Sequence, residues 1–257
     1  MTSFENLTVD VSGTIATISL NRPKRLNALS RALLTEIIAV SNWLAENDQL
    51  RVAIVRGSNG NFSAGFDLDD FVSSTEGGSS RDNADLGRRA TEALARVPQI
   101  TIAAVEGHCI GGGFVLVGAC DLRYASETAR FRIPEVDLGI PLAWGGIPRL
   151  VREIGPALTK ELVLTCRPFD ASEAMSIGFL NGVVPADDLS NHVETLAQSL
   201  ASKPLYALRT TKNHVEAVMD EIASTARSTT DADVLVYAMH DVESREVSKR
   251  YLRERSK

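Results

Sequence analysis

Four short segments carry residue types and spacings that could support chemistry. They are Ser63-Ala64-Gly65-Phe66-Asp67-Leu68, the glycine-rich run at 107–113, Pro134-Glu135-Val136-Asp137-Leu138-Gly139, and Trp144-Gly145-Gly146. Gly111-Gly112-Gly113 falls between an apolar strand-like stretch and a helix-like one. At a helix start the first N–H groups lack partners and carry partial positive charge, so they favour an anion. Glycines have no Cβ, which lets a substrate atom approach that backbone closely. A second N–H from the Ala64-Gly65-Phe66 turn, aimed at the same point, would complete an oxyanion hole. Losing one such donor costs on the order of a hundred- to a thousand-fold in rate. The same glycines would equally let a helix pack tightly on a strand, and spacing does not separate the two.

Other chemistries lack their motifs. No GxxxxGK[ST] is present, 107–113 fits GxGxxG in no register, and GxSxG and HExxH are missing. Cys109, Cys120 and Cys166 are odd in number, lack CxxC spacing, and read as reduced thiols. No metal, flavin or nicotinamide is implied. The 257 residues include 27 Lys plus Arg and 33 Asp plus Glu, a formal charge of −6. That balance argues against nucleic acid or an anionic membrane as the main partner, while leaving room for a basic patch toward a phosphorylated small molecule. With 44% hydrophobic and 23% charged residues, the composition is that of a globular protein. No signal-like run opens the chain, and the most apolar segment, 110–120, is too short to span a bilayer. A soluble cytoplasmic protein is expected.

The elements that must position these segments follow from periodicity. Leu7, Val9 and Val11, then Ile18 and Leu20, alternate on either side of Ser12-Gly13 and predict a β-hairpin. Ser30 is the expected N-cap of a helix carrying Leu33, Leu34, Ile37, Ile38 and Leu44. Residues 52–55 and 102–105 read as buried strands, 58–60 as a turn, and Leu86, Ala90, Leu94 and Val97 as a helix face. The polar stretch 73–80 reads as a mobile loop. Strand–helix alternation continues through Phe131, Ile133 and Val136, with helices over 147–154 and 156–164. Asp170 and Glu173 have capping-box spacing, and 183–184 looks like the last strand. Beyond Asp187 everything reads as helix, broken at Lys203-Pro204. The expected organisation is an α/β core over 1–186 and a helical region over 187–257.

Asn21-Arg22-Pro23-Lys24-Arg25-Leu26-Asn27-Ala28-Leu29, the 63–68 loop, the 107–113 run and residues 134–149 occur in an order and at intervals that resemble the crotonase, or enoyl-CoA hydratase/isomerase, superfamily. The resemblance covers nearly the whole chain and is weakest after about residue 231. It implies a spiral of ββα units, with a C-terminal helical region that mediates homotrimers or hexamers. The implied partner is an acyl-CoA thioester whose enolate is stabilised by the backbone N–H groups of Phe66 and Gly112. Lys24, Arg25, Leu26, Ala28, Ala64, Asp67 and Leu68 would line the CoA path, with Val115 and Trp144 at the acyl pocket. Glu135 aligns with one of two glutamates that the family's hydratases use. The other belongs two residues beyond Gly113, where this chain has Val115. Valine cannot orient water, so the expected reaction is double-bond isomerisation with one glutamate, with hydration as the alternative. A catalytically weak acyl-CoA-binding protein and an RNA-binding role are rivals, the latter opposed by the charge balance. A related spiral fold hosts serine peptidases, but Ser63 lies in the oxyanion loop and not at a nucleophile position.

Several residues carry plainer expectations. Asp67, Asp69 and Asp70 should be solvated or cap a helix, and His108 should be a satisfied structural histidine. Asp137 would share a face with Glu135 in extended chain and should enter a salt bridge. Trp144 would limit acyl length or pack in the core. Arg245, Lys249, Arg250, Arg253, Arg255 and Lys257 read as a solvated helix face.

Overall fold

The computed structural model describes residues 4–77 and 81–255. β1 (Leu7–Ser12) and β2 (Ile15–Leu20) form the expected antiparallel hairpin, with Leu7 opposite Leu20. Leu20, Ala16 and Ile18 point inward, as their alternation requires. α1 (Arg31–Glu46) begins where Ser30 Oγ accepts the Leu33 N–H at 3.2 Å, and it buries Leu33, Leu34, Ile37 and Leu44. β3 (Val52–Gly57) follows, then α2 (Leu68–Gly77) and α3 (Arg81–Ala95). Next come β4 (Ile100–Val105), β5 (His108–Ile110), α4 (Gly112–Val117), β6 (Leu122–Ser126) and β7 (Arg130–Arg132). α5 (Gly146–Thr165) breaks at Gly155, φ 75° and ψ 166°, where the two expected helices meet. β8 (Phe169–Asp170) and α6 (Ala171–Ser176) precede β9 (Gly182–Val184). Glu173 donates its N–H to Asp170 Oδ1 at 2.9 Å, but its carboxylate pairs with Arg167, so only half of the capping box forms. α7 (Leu189–Ala201), α8 (Leu205–Ala223), α9 (Asp231–His240) and α10 (Val242–Arg255) complete the chain, with the expected break at Pro204.

The main sheet runs β1-β2-β3-β4-β6-β9 and is parallel beyond the hairpin. β3 and β4 are buried on both faces, which is why they read as unbroken apolar runs. Val52, Ile54, Ile102 and Ala104 lie under Leu189, Val193 and Ala197 of α7, while Ala53, Val55, Ala103 and Val105 face the larger core. Each valine, leucine or isoleucine buried this way contributes about 1.5–3 kcal/mol.

After leaving a main strand the chain makes a short pairing in a second layer. β5, β7 and β8 form that layer, and single parallel bridges, Ser63 to Cys109 and Leu29 to Phe66, extend it. β5 and β8 are too short to carry a periodic signal, and the sequence reading missed them. Asn27, buried with φ 55°, ties the layer together. Its Nδ2 donates to Ser58 O and Asn61 O at 2.8 and 2.7 Å, its Oδ1 accepts from Arg22 N–H, and its carbonyl accepts from Ser63 Oγ.

Two expectations need correction. Residues 73–77 are helical, because Asp67 caps α2 by accepting the Asp69 N–H at 3.0 Å and Phe71 anchors the helix in the core. Residues 78–80, where that loop was expected to continue, lie outside the described residues, as does Lys257. The strand through Phe131 stops at Arg132. Pro134, without an N–H, begins a helical turn closed by Leu138 N–H to Pro134 O at 3.0 Å, and Val136 is exposed.

Replacing Asn27 by Ala strands two buried carbonyls and one N–H. It should destabilise the protein by about 2–4 kcal/mol, read as a lower urea midpoint at unchanged slope. A change within about 0.5 kcal/mol, as for a surface site, would show that Asn27 does not hold this layer.

Candidate active site

The second layer decides where backbone donors point. Leu29 N–H donates to Gly65 O and Asp67 N–H to Leu29 O, at 2.8 and 3.1 Å. In a parallel ladder those bonds leave the N–H of the intervening residue, Phe66, on the opposite side. That side faces the end of β5, where the ladder stops: Gly111 turns away, φ 49°, and gives its N–H to Arg132 O at 2.8 Å. Gly112 opens α4, so its N–H has no intrahelical acceptor. Among the described residues neither the Phe66 nor the Gly112 N–H has a hydrogen-bond acceptor. Gly65 is required for this approach, since its φ is +90° and a Cβ would come 2.8 Å from Ile110 O.

Both residues line one cavity together with Val115, Glu135, Leu142 and Trp144. An adjoining cleft shares Phe66 and Glu135 and extends past Ala64, Asp67, Leu68, Ala28 and Arg25. Lys24 and Leu26 are exposed and line neither space. Asp67 is buried, not solvated, and bonds Arg22 at 2.7 Å. Asp69 pairs with Arg25, and Asp70 accepts the Arg31 N–H at 2.7 Å, so the acidic cluster fastens α2 to the 22–31 segment.

Glu135 stands at the junction of cavity and cleft. Its Oε1 lies against Gly111, where a Cβ would be 2.6 Å away, and its Oε2 is enclosed with no hydrogen-bond partner. Burial pushes its carboxyl up to about 7, against a small opposing pull from its own backbone N–H. Asp137 does not share this face; it is exposed and pairs with Arg132 at 2.6 Å, the expected salt bridge. His108 is exposed on β5 and lines neither space.

The cavity walls include residues the sequence reading did not select. Leu235 and Met239 of α9 close one side, and Tyr251 of α10 reaches the cleft. α10 is fixed over the Glu135 turn by Ser248 Oγ donating to Leu138 O. The available signal was the Leu235/Met239 spacing of four, an apolar pair on a helix with little else to cover. Trp144 lines the cavity with φ 62°, a left-handed backbone that is an outlier for a bulky side chain and costs about 1–3 kcal/mol.

The family model for enoyl-CoA hydratase/isomerase matches residues 10–257. The chain belongs to the enoyl-CoA hydratase/isomerase family. The crotonyl-CoA hydratase of Syntrophomonas wolfei is 32% identical, over 93% of this chain and 92% of that one. The peroxisomal Δ(3,5)-Δ(2,4)-dienoyl-CoA isomerase of Arabidopsis thaliana is 35% identical, with 82% of each chain covered. Among solved structures, an enoyl-CoA hydratase/isomerase from Pseudoalteromonas atlantica superposes with a TM-score of 0.87 at 26% identity, covering 97% of this chain and 98% of that one. The α/β spiral is thus the crotonase fold. Both reaction names occur among the relatives, hydratase more often, so descent sets the enzyme class without choosing the reaction.

The raised Glu135 pKa has a stability consequence. Between about pH 4.3, where an unfolded glutamate ionises, and about pH 7 the native state holds a proton that the unfolded chain has released. Native stability therefore falls as pH rises through this window. Glu135→Gln removes that loss, so the variant's stability relative to wild type should improve by about 3 kcal/mol from pH 4 to pH 8, measured by urea unfolding at both. No pH dependence in the difference would contradict a buried, unpaired carboxyl.

Proposed function

We propose that this enzyme moves the double bond of an acyl-CoA thioester from position 3 to position 2, with Glu135 as the single proton carrier. The observation that carries the reading is that Glu135 is the one acidic residue lining the cavity among the described residues, while Val115 occupies the place of a second glutamate. Glu135 takes a proton from C2 of the 3-enoyl thioester. The electron pair moves into a dienolate whose oxygen the Phe66 and Gly112 N–H groups receive. Glu135 then returns the proton at C4, and no water is consumed. A carboxyl near pKa 7 suits both halves of this shuttle, because neither protonation state is strongly disfavoured at neutral pH. The acyl chain lies in the apolar cavity, and the CoA portion follows the cleft past Ala28, Ala64, Asp67 and Leu68, with Arg25 at its rim.

The hydratase names among the relatives support a second reading, hydration of 2-enoyl-CoA. It needs water oriented at one carbon while a proton reaches the next, work usually shared by two carboxylates. Buried Val115, at 3% exposure, supplies neither.

Product analysis with separate 3-enoyl-CoA and 2-enoyl-CoA substrates tests the choice. The expected result is conversion of 3-enoyl to 2-enoyl thioester, little hydroxyacyl-CoA, and a loss of about a hundredfold or more in Glu135→Gln. Hydroxyacyl-CoA formed at the faster rate would overturn isomerisation in favour of hydration. Tight CoA binding with no turnover of either substrate would show a binding protein instead.

A further inference from the structure

We propose that Trp144 is a positioning residue for the paired N–H donors: its indole is the spacer that sets where the Phe66 loop and the start of α4 stand relative to each other. The proposal rests on reading those two N–H groups as the oxyanion hole.

The indole touches both donor-bearing residues. Its ring meets the Phe66 ring edge to face, with centroids 5.7 Å apart and planes at 83°. On another side it lies over Gly112, where a Cβ would stand 2.3 Å from Cζ3. It also fills a notch at Gly87 of α3, where a Cβ would come 1.8 Å from Cε2. Two helices thus each give up a side chain to admit one ring. A glycine inside a helix is unfavourable by itself, so its presence in α3 fits a packing demand.

The backbone of Trp144 is held as firmly as its ring. Its left-handed φ of 62° is maintained by three groups from different elements. Thr91 Oγ1 donates to Trp144 O at 2.9 Å, and Arg149 Nη1 donates to the same oxygen at 3.3 Å. Asp231 Oδ2 accepts the next N–H, that of Gly145, at 2.9 Å. An apolar wall for an acyl chain needs none of this, and Leu142 and Met239 line the same cavity without it. The combination of strain, three tethers and two notches serves to place the ring against Phe66 and Gly112.

If the ring sets the donors' common aim, its loss should weaken binding of an enolate more than binding of a neutral thioester. The probes are acetoacetyl-CoA, whose enolate absorbs in the near ultraviolet, and butyryl-CoA, an uncharged thioester of equal chain length. Wild type should raise the enolate fraction of bound acetoacetyl-CoA. Trp144→Ala should lose about tenfold or more of that preference, a part of what removing one donor outright costs, over and above the smaller loss of butyryl-CoA affinity expected from removing a wall of the acyl cavity. Trp144→Phe and Thr91→Val should show smaller losses in the same direction, and they carry the test should Trp144→Ala not fold. Equal loss of both ligands, or an unchanged enolate preference in all variants that fold, would overturn the positioning role. A wild-type protein with no enolate preference would instead overturn the oxyanion-hole reading, and the proposal with it.

Discussion

The structure depends on where the small second layer stops pairing. A buried backbone N–H without an acceptor is costly, and folded proteins rarely leave one. Here the N–H groups of two residues that line one cavity, Phe66 and Gly112, have no acceptor among the described residues: the ladder beside Phe66 ends at Gly111, and Gly112 opens α4. Gly65 lets the 63–66 segment come within reach of Ile110, and Asn27 fastens the loop that carries it. On the proposed reading, the unpaired donors are a vacancy in the hydrogen-bond inventory that a thioester oxygen fills.

The carboxyl beside them follows a similar logic. Glu135 is enclosed at Oε2, pairs with no cation among the described residues, and is less acidic than an ordinary glutamate because burial disfavours its charge. A salt bridge would stabilise its charge and depress its basicity, as Arg132 does no such thing for it but pairs with Asp137 instead. The Pro134 turn separates these two acids, which would have shared a face in an extended strand. One is left half-buried with an enclosed, unpartnered oxygen, the other exposed and paired.

Much of this was legible in the residues. The hairpin, the Ser30 cap, the twofold-buried strands and the break at Gly155 all follow from local rules, and the structure agrees at each. The order of the 21–29, 63–68, 107–113 and 134–149 segments was enough to identify the family and to single out Phe66, Gly112 and Glu135, which the structure brings to one cavity. What stayed hidden depends on distance along the chain. Strands of two or three residues such as β5 and β8 show no period, so the layer that aims the donors was invisible. Residues 73–77 read as loop because their helix is held by Asp67 and Phe71 and not by its own composition. Gly87, within a helix, was a visible sign of close packing, but nothing nearby in sequence named Trp144 as its partner. Leu235, Met239 and Tyr251 reach the site only because α9 and α10 fold back over the Glu135 turn.

The most direct measurement is a crystal structure of the enzyme with a bound enolate-forming acyl-CoA. The account predicts the thioester oxygen within about 2.7–3.1 Å of both the Phe66 and Gly112 nitrogens, with C2 and C4 on the side facing Glu135. A thioester oxygen pointing to solvent, or held by one nitrogen alone while Glu135 contacts neither carbon, would contradict it.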